Sequence, residues 1–500
     1  MSVRQCLRTL CQTLTANCTS TLHNKPVIEG AGGSQVKLFA VAVKTGYNRS
    51  EVFQATYKIT GGSSDPGDPA DPGTEGNMWA NRYPLEDALK LFGAVSGYGA
   101  QAQIALPSLG SGTNYYVDDT NGNNTYPGTS PSLPWKELQY ALNTVNAGDT
   151  IHIAEGNYLG PANRGFLIMT KPVNLIGGYA HDFGSRDILV NRTMIQPQMH
   201  SNVNNNLLSL GDPTGAGAYL PAGNVVIDGI IFDRGFFNDY NSTKGKPDGV
   251  DTGSLSKDLS FSSVLIGAVT GCRANVTIQN CTFLNSSNYG ITISPYASTS
   301  DPRTVIIKNN VFVANCYAAV DISNGSSQAA NLYETNVDFA DNTVLFNWER
   351  TNESSIVRDN LGYGYRFRTG VNGDVHGCII GFSIQAGLDR SWQGVTAENK
   401  RQTRFYNNAF VLNRFADFMG VQSPNNVYYF LNQFTGFETL WSDIKKYDGN
   451  IELTGDRLAG KLNVPYVRGW IDRSFGNKSN PAPDAALSAK VNAFKAAFGL

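Results

Sequence analysis

The octapeptide "VTIQNCTF", Val276 to Phe283, decides how the rest of this chain is read. Its first, third and last positions are apolar, and its middle is polar with an Asn suited to a sharp corner. The pattern returns as "VVIDGIIF" from 225, "VIIKNNVF" from 305, "VDFADNTV" from 337, "GDVHGCII" from 373, "TRFYNNAF" from 403 and "VYYFLNQF" from 427. Asn285, Asn315, Asn347 and Asn413 each follow within three residues of a copy, and a second short strand comes after some copies as "GITIS", "AVDIS" or "FSIQA". The starts lie between 24 and 51 residues apart.

A recurring phrase at uneven spacing is what a solenoid of parallel strands produces, because the strands repeat while the loops at one corner vary. A β-sandwich would need antiparallel alternation and hairpin turns, which the phrase lacks. The expected fold class is therefore all-β, a parallel β-helix with helical caps. Inward residues should stack in columns, Val276 with Val305 and Val337, and Phe232 with Phe283 and Phe312. The Asn at the turn tolerates left-handed backbone and can hydrogen-bond from coil to coil.

Working toward the N-terminus, "NAGDTIHIAEGNY", Asn146 to Tyr158, reads as one short strand closed by Gly156-Asn157, with Ile151 and Ile153 on one side and His152 on the other. The helix predicted before it, "PWKELQYALNTV", carries Leu138, Ala141, Leu142 and Val145 on one stripe and should cover the open end of the first coil. At the far end "PDAALSAKVNAFKAAFGL" places Leu487, Val491, Phe494 and Phe498 on one helical face, expected to pack on the last coils. The stretch from "YYVDDTNGNNTYPGTSPSLPWKELQYALNTVNAGDTIHIAEGNY" through "IGGY", "DF" and "RD" resembles an uncharacterised bacterial group of pectin-lyase-like β-helix proteins. That resemblance covers Tyr115 to about Pro197, and it implies a right-handed helix.

Residues 35–59 read as two alternating strands around "KTGYNRS". With Gly46, Tyr47, Ser50 and Val52 they resemble the end of the immunoglobulin-like module at the C-terminus of chitobiase and β-hexosaminidase enzymes, its first strand missing. The resemblance implies an accessory, usually extracellular, module. The expected organisation is a partial immunoglobulin-like module over 1–60, a linker and unassigned segment over 61–113, the β-helix over 114–480 and a C-terminal helix over 481–500. In the unassigned segment only "PLEDALKLFGAV" reads as a helix.

Net charge is −2 and only 16% of residues are charged, which gives no electrostatic case for nucleic acid. No apolar run approaches the roughly 20 residues of a membrane span. The first twenty residues lack the apolar core of a secretory signal. A start inside the module would account for that, so an extracellular or cell-surface location is expected. Of the seven cysteines, Cys6, Cys11 and Cys18 show no zinc spacing, and Cys272, Cys281, Cys316 and Cys378 read as small buried residues.

Pectin-lyase-like β-helices commonly handle polysaccharides on an exposed sheet, so the resemblance directs attention to the outward phrase positions. Successive coils there present Ile306 and Lys308, Asp338 and Ala340, Asp374 and His376, Arg404 and Tyr406. β-Elimination needs a base beside a carboxylate and a cation to stabilise the enolate. Lys308 or His376 would be the base, Arg404 the stabiliser, and Asp338 with Asp374 a calcium pair. The competing reading is that opposite charges alternate on such a surface for solubility. Candidate glycan contacts are Tyr406, Trp348, Trp392 and Asp321, with Thr292 and Asp417 at equivalent second-strand positions. The insertion after the 225 phrase adds Asp233, Asp239, Asp248 and Asp251 beside Phe236, Phe237 and Tyr240. Exposed tryptophans would favour sugar contact; buried ones would anchor loops.

The "NTD", "GHG" and "RIK" motifs of polygalacturonase-type hydrolases are absent, and the sole "DD" is Asp118-Asp119. A lyase therefore fits better than a hydrolase if the chain is an enzyme at all. The expected function is engagement of a polysaccharide or another extended surface ligand, with two alternatives, a lyase acting on an acidic glycan and a non-catalytic adhesive rod.

Overall fold

The computed structural model describes residues 35–40, 53–58, 85–158, 166–196, 206–211, 220–234, 240–241, 246–247, 263–266, 272–286, 288–293, 303–322, 335–348, 362–367, 371–390, 402–422, 425–471 and 485–500. The chain divides into two units, 1–67 and 68–500. In the first, Gln35–Ala40 pairs antiparallel with Phe53–Lys58.

The second unit is the solenoid. Three long sheets run along it, and each coil passes through them in turn. Sheet I has ten strands, from Asn114–Val117 and Thr150–Ala154 through Asn275–Gln279, Arg303–Lys308, Thr335–Ala340, Val371–His376 and Thr403–Tyr406 to Ile444–Lys446. Sheet II has nine, Thr282–Leu284, Val311–Val313 and Ile379–Gly381 among them. Sheet III also has nine, including Tyr289–Ile293, Ala318–Ile322, Tyr363–Arg366 and Ala386–Arg390. One phrase thus spans a sheet I strand, a corner and a sheet II strand. The "GNY" that was expected to end the Asn146–Tyr158 strand is itself the sheet II strand Gly156–Tyr158.

The corner between sheets I and II is left-handed at Gly229, Asn280, Asn309, Asp341, Gly377 and Asn407, with φ between 53° and 69°. Only Gly, Asn and Asp occupy it, the residues for which that conformation costs least. The next residue builds a buried ladder. Cys281 N–H donates to Asn310 Oδ1 (2.9 Å), Asn310 N–H to Asn342 Oδ1 (2.9 Å), Asn342 N–H to Cys378 Sγ (3.4 Å), Cys378 N–H to Asn408 Oδ1 (3.1 Å) and Asn408 N–H to Asn450 Oδ1 (2.9 Å). The side-chain amides of Asn310, Asn342 and Asn408 in turn donate to the Ile278, Ile307 and Val375 carbonyls of the preceding coil. Corner main-chain groups that a β-sheet would leave unpaired are satisfied this way.

Inward columns form as expected. Val276, Val305 and Val337 pair in register, and the rings of Phe232, Phe283 and Phe312 stack at 5.1 and 4.6 Å. Each fully buried ring contributes about 2 kcal/mol by area. The helix Leu138–Thr144 buries Leu138, Ala141 and Leu142 in the same core as Val117, Ile151 and Leu167 of the first coils. A second apolar cluster lies outside sheet II. There Ile231, Leu284, Val311, Leu345 and Ile379 meet Ala88, Leu89 and Phe92 on one side and Leu458, Leu487, Val491 and Phe494 on the other. The C-terminal helix, Ala485–Ala497, sets Phe494 edge-on against Phe382 at 4.9 Å.

Two expectations are corrected. The 427 phrase is not a coil: Asn425–Tyr429 runs antiparallel to Ala416–Gln422, and the last coil is Ile444–Lys446 with Ile451–Glu452. The third of the short second strands is Ala386–Arg390, which begins at the last residue of "FSIQA".

The segment that resisted assignment is a strap. After the short helix Leu85–Leu89 it crosses successive coils at the corner between sheets I and II. Gly99 N–H donates to Gly377 O, Ala100 N–H to Thr343 Oγ1, Gln101 N–H to Asn309 Oδ1 and Ile104 N–H to Asn280 Oδ1. Further on, Asn174 Nδ2 donates to Leu109 O, and Thr113 N–H to Asp149 Oδ1.

Candidate functional site

Alternation along sheet I puts every second residue outside. The register aligns Ile306, Asp338, Asp374 and Arg404 in one outer column and Lys308, Ala340, His376 and Tyr406 in the next. The outer positions of sheet II are covered by the second apolar cluster. Those of sheet III, Thr292, Asp321, Arg366, Asp389 and Met419, are buried. On sheet I, Thr277, Ile306, Asp338, Asp374 and Arg404 remain partly exposed.

Five of the expected residues converge there. His376 Nε2 donates to Asp338 Oδ1 at 2.9 Å, and its ring stacks on Tyr406 at 5.1 Å with 6° between planes. Arg404 donates to Asp374 Oδ1 at 3.0 Å and also to Gln402. Lys446 Nζ sits 3.9 Å from the centre of the Tyr406 ring. The hydrogen bond to Asp338 raises the His376 pKa above its ordinary value, with burial opposing and Asp341 and Asp374 assisting. Burial, then the Asp374 and Asp338 charges, raise that of Tyr406. The group is thus a histidine oriented by a carboxylate, backed by an aromatic face, beside an arginine already held by its own carboxylate.

Lys308 stands apart. Ala340 separates it from His376 in the column, and its nearest carboxylate is Asp341 at 3.6 Å with both side chains well exposed. Of the two candidate bases, His376 is the one brought to the cluster. The expected calcium pair is not assembled either. Asp338 is taken by His376 and Asp374 by Arg404, and among the described residues no group of three or more His, Cys, Asp or Glu is arranged to hold a metal.

Trp348 is buried to 3% exposure, bridges to Cys316 and donates its indole N–H to Ala314 O at 2.9 Å, so it anchors its loop. Asp321 lies on sheet III, buried, with Arg366 Nη1 3.6 Å away; Arg366 Nε donates to Asp389 at 2.7 Å. Asp417 is buried against Lys490 and Asn413. Asp233 is buried and accepts from Gln196 and Asn285. Cys272, Cys281, Cys316 and Cys378 are buried, as expected of small core residues. Trp392, Phe236, Phe237, Asp239, Asp248, Asp251, the Tyr240 side chain and Cys6, Cys11 and Cys18 lie outside the described residues.

The sequence reading missed a second group. Tyr116 and His152 occupy the outer face of sheet I at its N-terminal end, the strand Asn174–Tyr179 adds its last residue, Tyr179, and the loop after it adds His181 and Phe183. His181 Nδ1 lies 3.0 Å from both carboxylate oxygens of the buried Asp118. The signal is present in the sequence, since His152 alternates outward between Ile151 and Ile153, but the opening coils lack the recurring phrase that marks the outer column.

Comparison with known proteins agrees with the architecture. Residues 262–428 match the family model described as the right handed beta helix region, and residues 120–217 match a family of unknown function, DUF1565. No curated protein matches. Among solved structures, a pectate lyase shares 14% identity over 60% of this chain and 76% of its own, with a TM-score of 0.30. A rhamnogalacturonan lyase shares 11% over 64% and 80% (TM-score 0.34), and a pectin methylesterase from Aspergillus niger 14% over 66% and 92% (TM-score 0.25). The fold of this chain is a parallel β-helix, right-handed as the family model that matches residues 262–428 describes it.

Proposed function

We propose that the protein engages an extended polysaccharide along the outer face of sheet I, with His376, Asp338, Arg404, Asp374 and Tyr406 as the contact. The observation that carries this reading is the contrast between faces. Sheets II and III are covered, while sheet I keeps a partly exposed column on which a carboxylate-oriented histidine, an arginine and an aromatic ring meet. Charged hydrogen-bonding groups around an aromatic face suit hydroxyl- and carboxylate-bearing sugars. We place the protein outside the cell or on its surface, and we read the N-terminal unit as an accessory module of the chitobiase C-terminal type. Its Gln35–Ala40 and Phe53–Lys58 hairpin supports that reading. Among the described residues no helix is long and apolar enough to cross a membrane.

A lyase reaction is the second reading, favoured by the His376–Asp338 pair. In its neutral form His376 would take the proton next to a uronate carboxylate, and Arg404 would stabilise the developing enolate. The test is to incubate the full chain with acidic and neutral polysaccharides. Co-sedimentation records retention, and mass spectrometry detects shortened or unsaturated products. Retention lost in His376→Ala and Arg404→Ala supports the binding reading. Unsaturated products lost in the same variants make it a lyase. Neither retention nor unsaturated products with any of the polymers removes both and leaves the rod.

A further inference from the structure

One outer register column of sheet I runs Tyr116, His152, Ile176, Asp228, Gln279, Lys308, Ala340, His376 and Tyr406. Part of its middle is roofed. Ile176 and Asp228 are buried, Arg186 lies on Asp228, and Gln279 donates to Ala105 O of the strap. The two ends are partly open, and each carries a histidine stacked on a tyrosine. At one end His376 lies on Tyr406; at the other His152 lies on Tyr116 at 5.3 Å with 23° between planes.

The second end is the richer in rings. Phe183 meets Tyr116 edge-on at 5.0 Å, and Tyr179 meets His152 edge-on at 5.2 Å and Phe183 at 6.0 Å. All four are half-buried. Phe183 holds its ring there from a left-handed backbone, φ 57°, which costs a phenylalanine about 1–2 kcal/mol and persists only because its surroundings fix it. The polar atoms of His152 are already engaged, with Tyr179 Oη 3.0 Å from Nδ1 and Asn114 Oδ1 3.0 Å from Nε2. Asn114 Oδ1 only accepts, so Nε2 carries the proton and the tyrosine hydroxyl donates to Nδ1. Burial, then Arg186, push the His152 pKa down to about 4, so this ring is neutral at pH 7. Neutral ring faces edged by hydroxyls and an amide match the alternating C–H and O–H surfaces of a sugar.

We propose that Tyr116, His152, Tyr179 and Phe183 form a second glycan contact in line with the His376–Tyr406 contact, so that one extended polysaccharide touches both. In the column His152 and His376 are about six coil rises apart, on the order of 29 Å. A chain spanning that distance gains from two linked contacts, whereas a short oligosaccharide reaches one at a time. This inference rests on the reading of sheet I as a glycan surface.

The experiment measures binding of the full chain to polygalacturonate, rhamnogalacturonan, xylan and a mixed-linkage β-glucan by affinity electrophoresis, with trisaccharides of each as competitors. The variants are Tyr116→Ala with Phe183→Gly, Tyr116→Phe, and His376→Ala with Tyr406→Ala. Glycine is chosen at 183 because it accepts the left-handed backbone. The expected result is that each ring-deleted pair weakens polymer binding at least about tenfold. Tyr116→Phe, which keeps the ring, should bind more tightly than the Tyr116→Ala pair, and trisaccharides should compete only weakly. If the Tyr116→Ala pair does not fold, Phe183→Gly alone carries the test with a loss of about threefold or more. Parental polymer binding in the Phe183→Gly variants, together with loss in the His376→Ala pair, overturns this inference and leaves the proposed function standing. No retention of any polymer by the parent chain overturns both.

Discussion

Asn342 is the ladder member whose removal should be felt most sharply. Its side chain is fully buried. Oδ1 accepts from Asn310 N–H at 2.9 Å and from Asn310 Nδ2 at 3.0 Å, while Nδ2 donates to Ile307 O at 2.8 Å. Asn342→Ala leaves the Asn310 amide and the Ile307 carbonyl without these partners inside a packed corner. The Asn310 side chain keeps its bonds to Ile278 O and Lys308 O. Two orphaned main-chain groups at about 1–3 kcal/mol each give an expected loss of about 4 kcal/mol. The natural control is Asn372→Ala in the sheet I strand Val371–His376, where the side chain donates to Asn336 Oδ1 and accepts from Gln402 N–H at a partly exposed position, so that water can replace both partners and the expected loss is about 0.5 kcal/mol. Urea unfolding followed by tryptophan fluorescence and circular dichroism reads both midpoints. A loss below about 1 kcal/mol for Asn342→Ala, or one equal to that of Asn372→Ala, would refute the claim that buried amides satisfy this corner.

Two further outcomes follow from local geometry. Ala314 holds φ 55° directly after the sheet II strand Val311–Val313, so Ala314→Gly should stabilise the fold by about 1 kcal/mol in the same urea assay, the relief of left-handed strain exceeding the added chain entropy. Because Asp338 raises the His376 pKa, the pair's contribution to stability is fully present below the unfolded histidine pKa, near 6.5, and is lost as pH rises through the higher folded value. Asp338→Asn should abolish that loss and lower the His376 pKa, since burial then acts without the carboxylate; NMR titration of the imidazole checks it.

Much of the solenoid was legible because strand alternation is a strictly local signal. The outer pairs Asp338 with Ala340 and Asp374 with His376, and the inner Phe232, Phe283 and Phe312, follow from counting by two. The direction of a strand does not. "VYYF" alternates equally well either way, and only its pairing with Ala416–Gln422 makes it antiparallel. Outward is also not the same as exposed: Asp321 has the expected outward register, yet lies buried beside Arg366. The strap was illegible for a different reason. Its partners Asn280, Asn309 and Thr343 lie 176, 208 and 243 residues away, and its own sequence has neither helical nor strand period. At the site, His376, Asp338, Arg404, Asp374 and Tyr406 were found from the column, while the Tyr116–His152 group needed the column to be continued through coils that do not carry the phrase.

A repeat array can ordinarily gain or lose units, since each coil asks only for a like neighbour on either side. The strap forbids this here. Gly99, Ala100, Gln101 and Ile104 are matched one after another to Gly377, Thr343, Asn309 and Asn280, as the marks of a ruler are matched to an edge. Duplicating a single coil between Asn280 and Gly377 would shift every later mark by about 4.8 Å. The number of coils in that stretch is therefore a measured quantity, set by a segment outside the repeat itself.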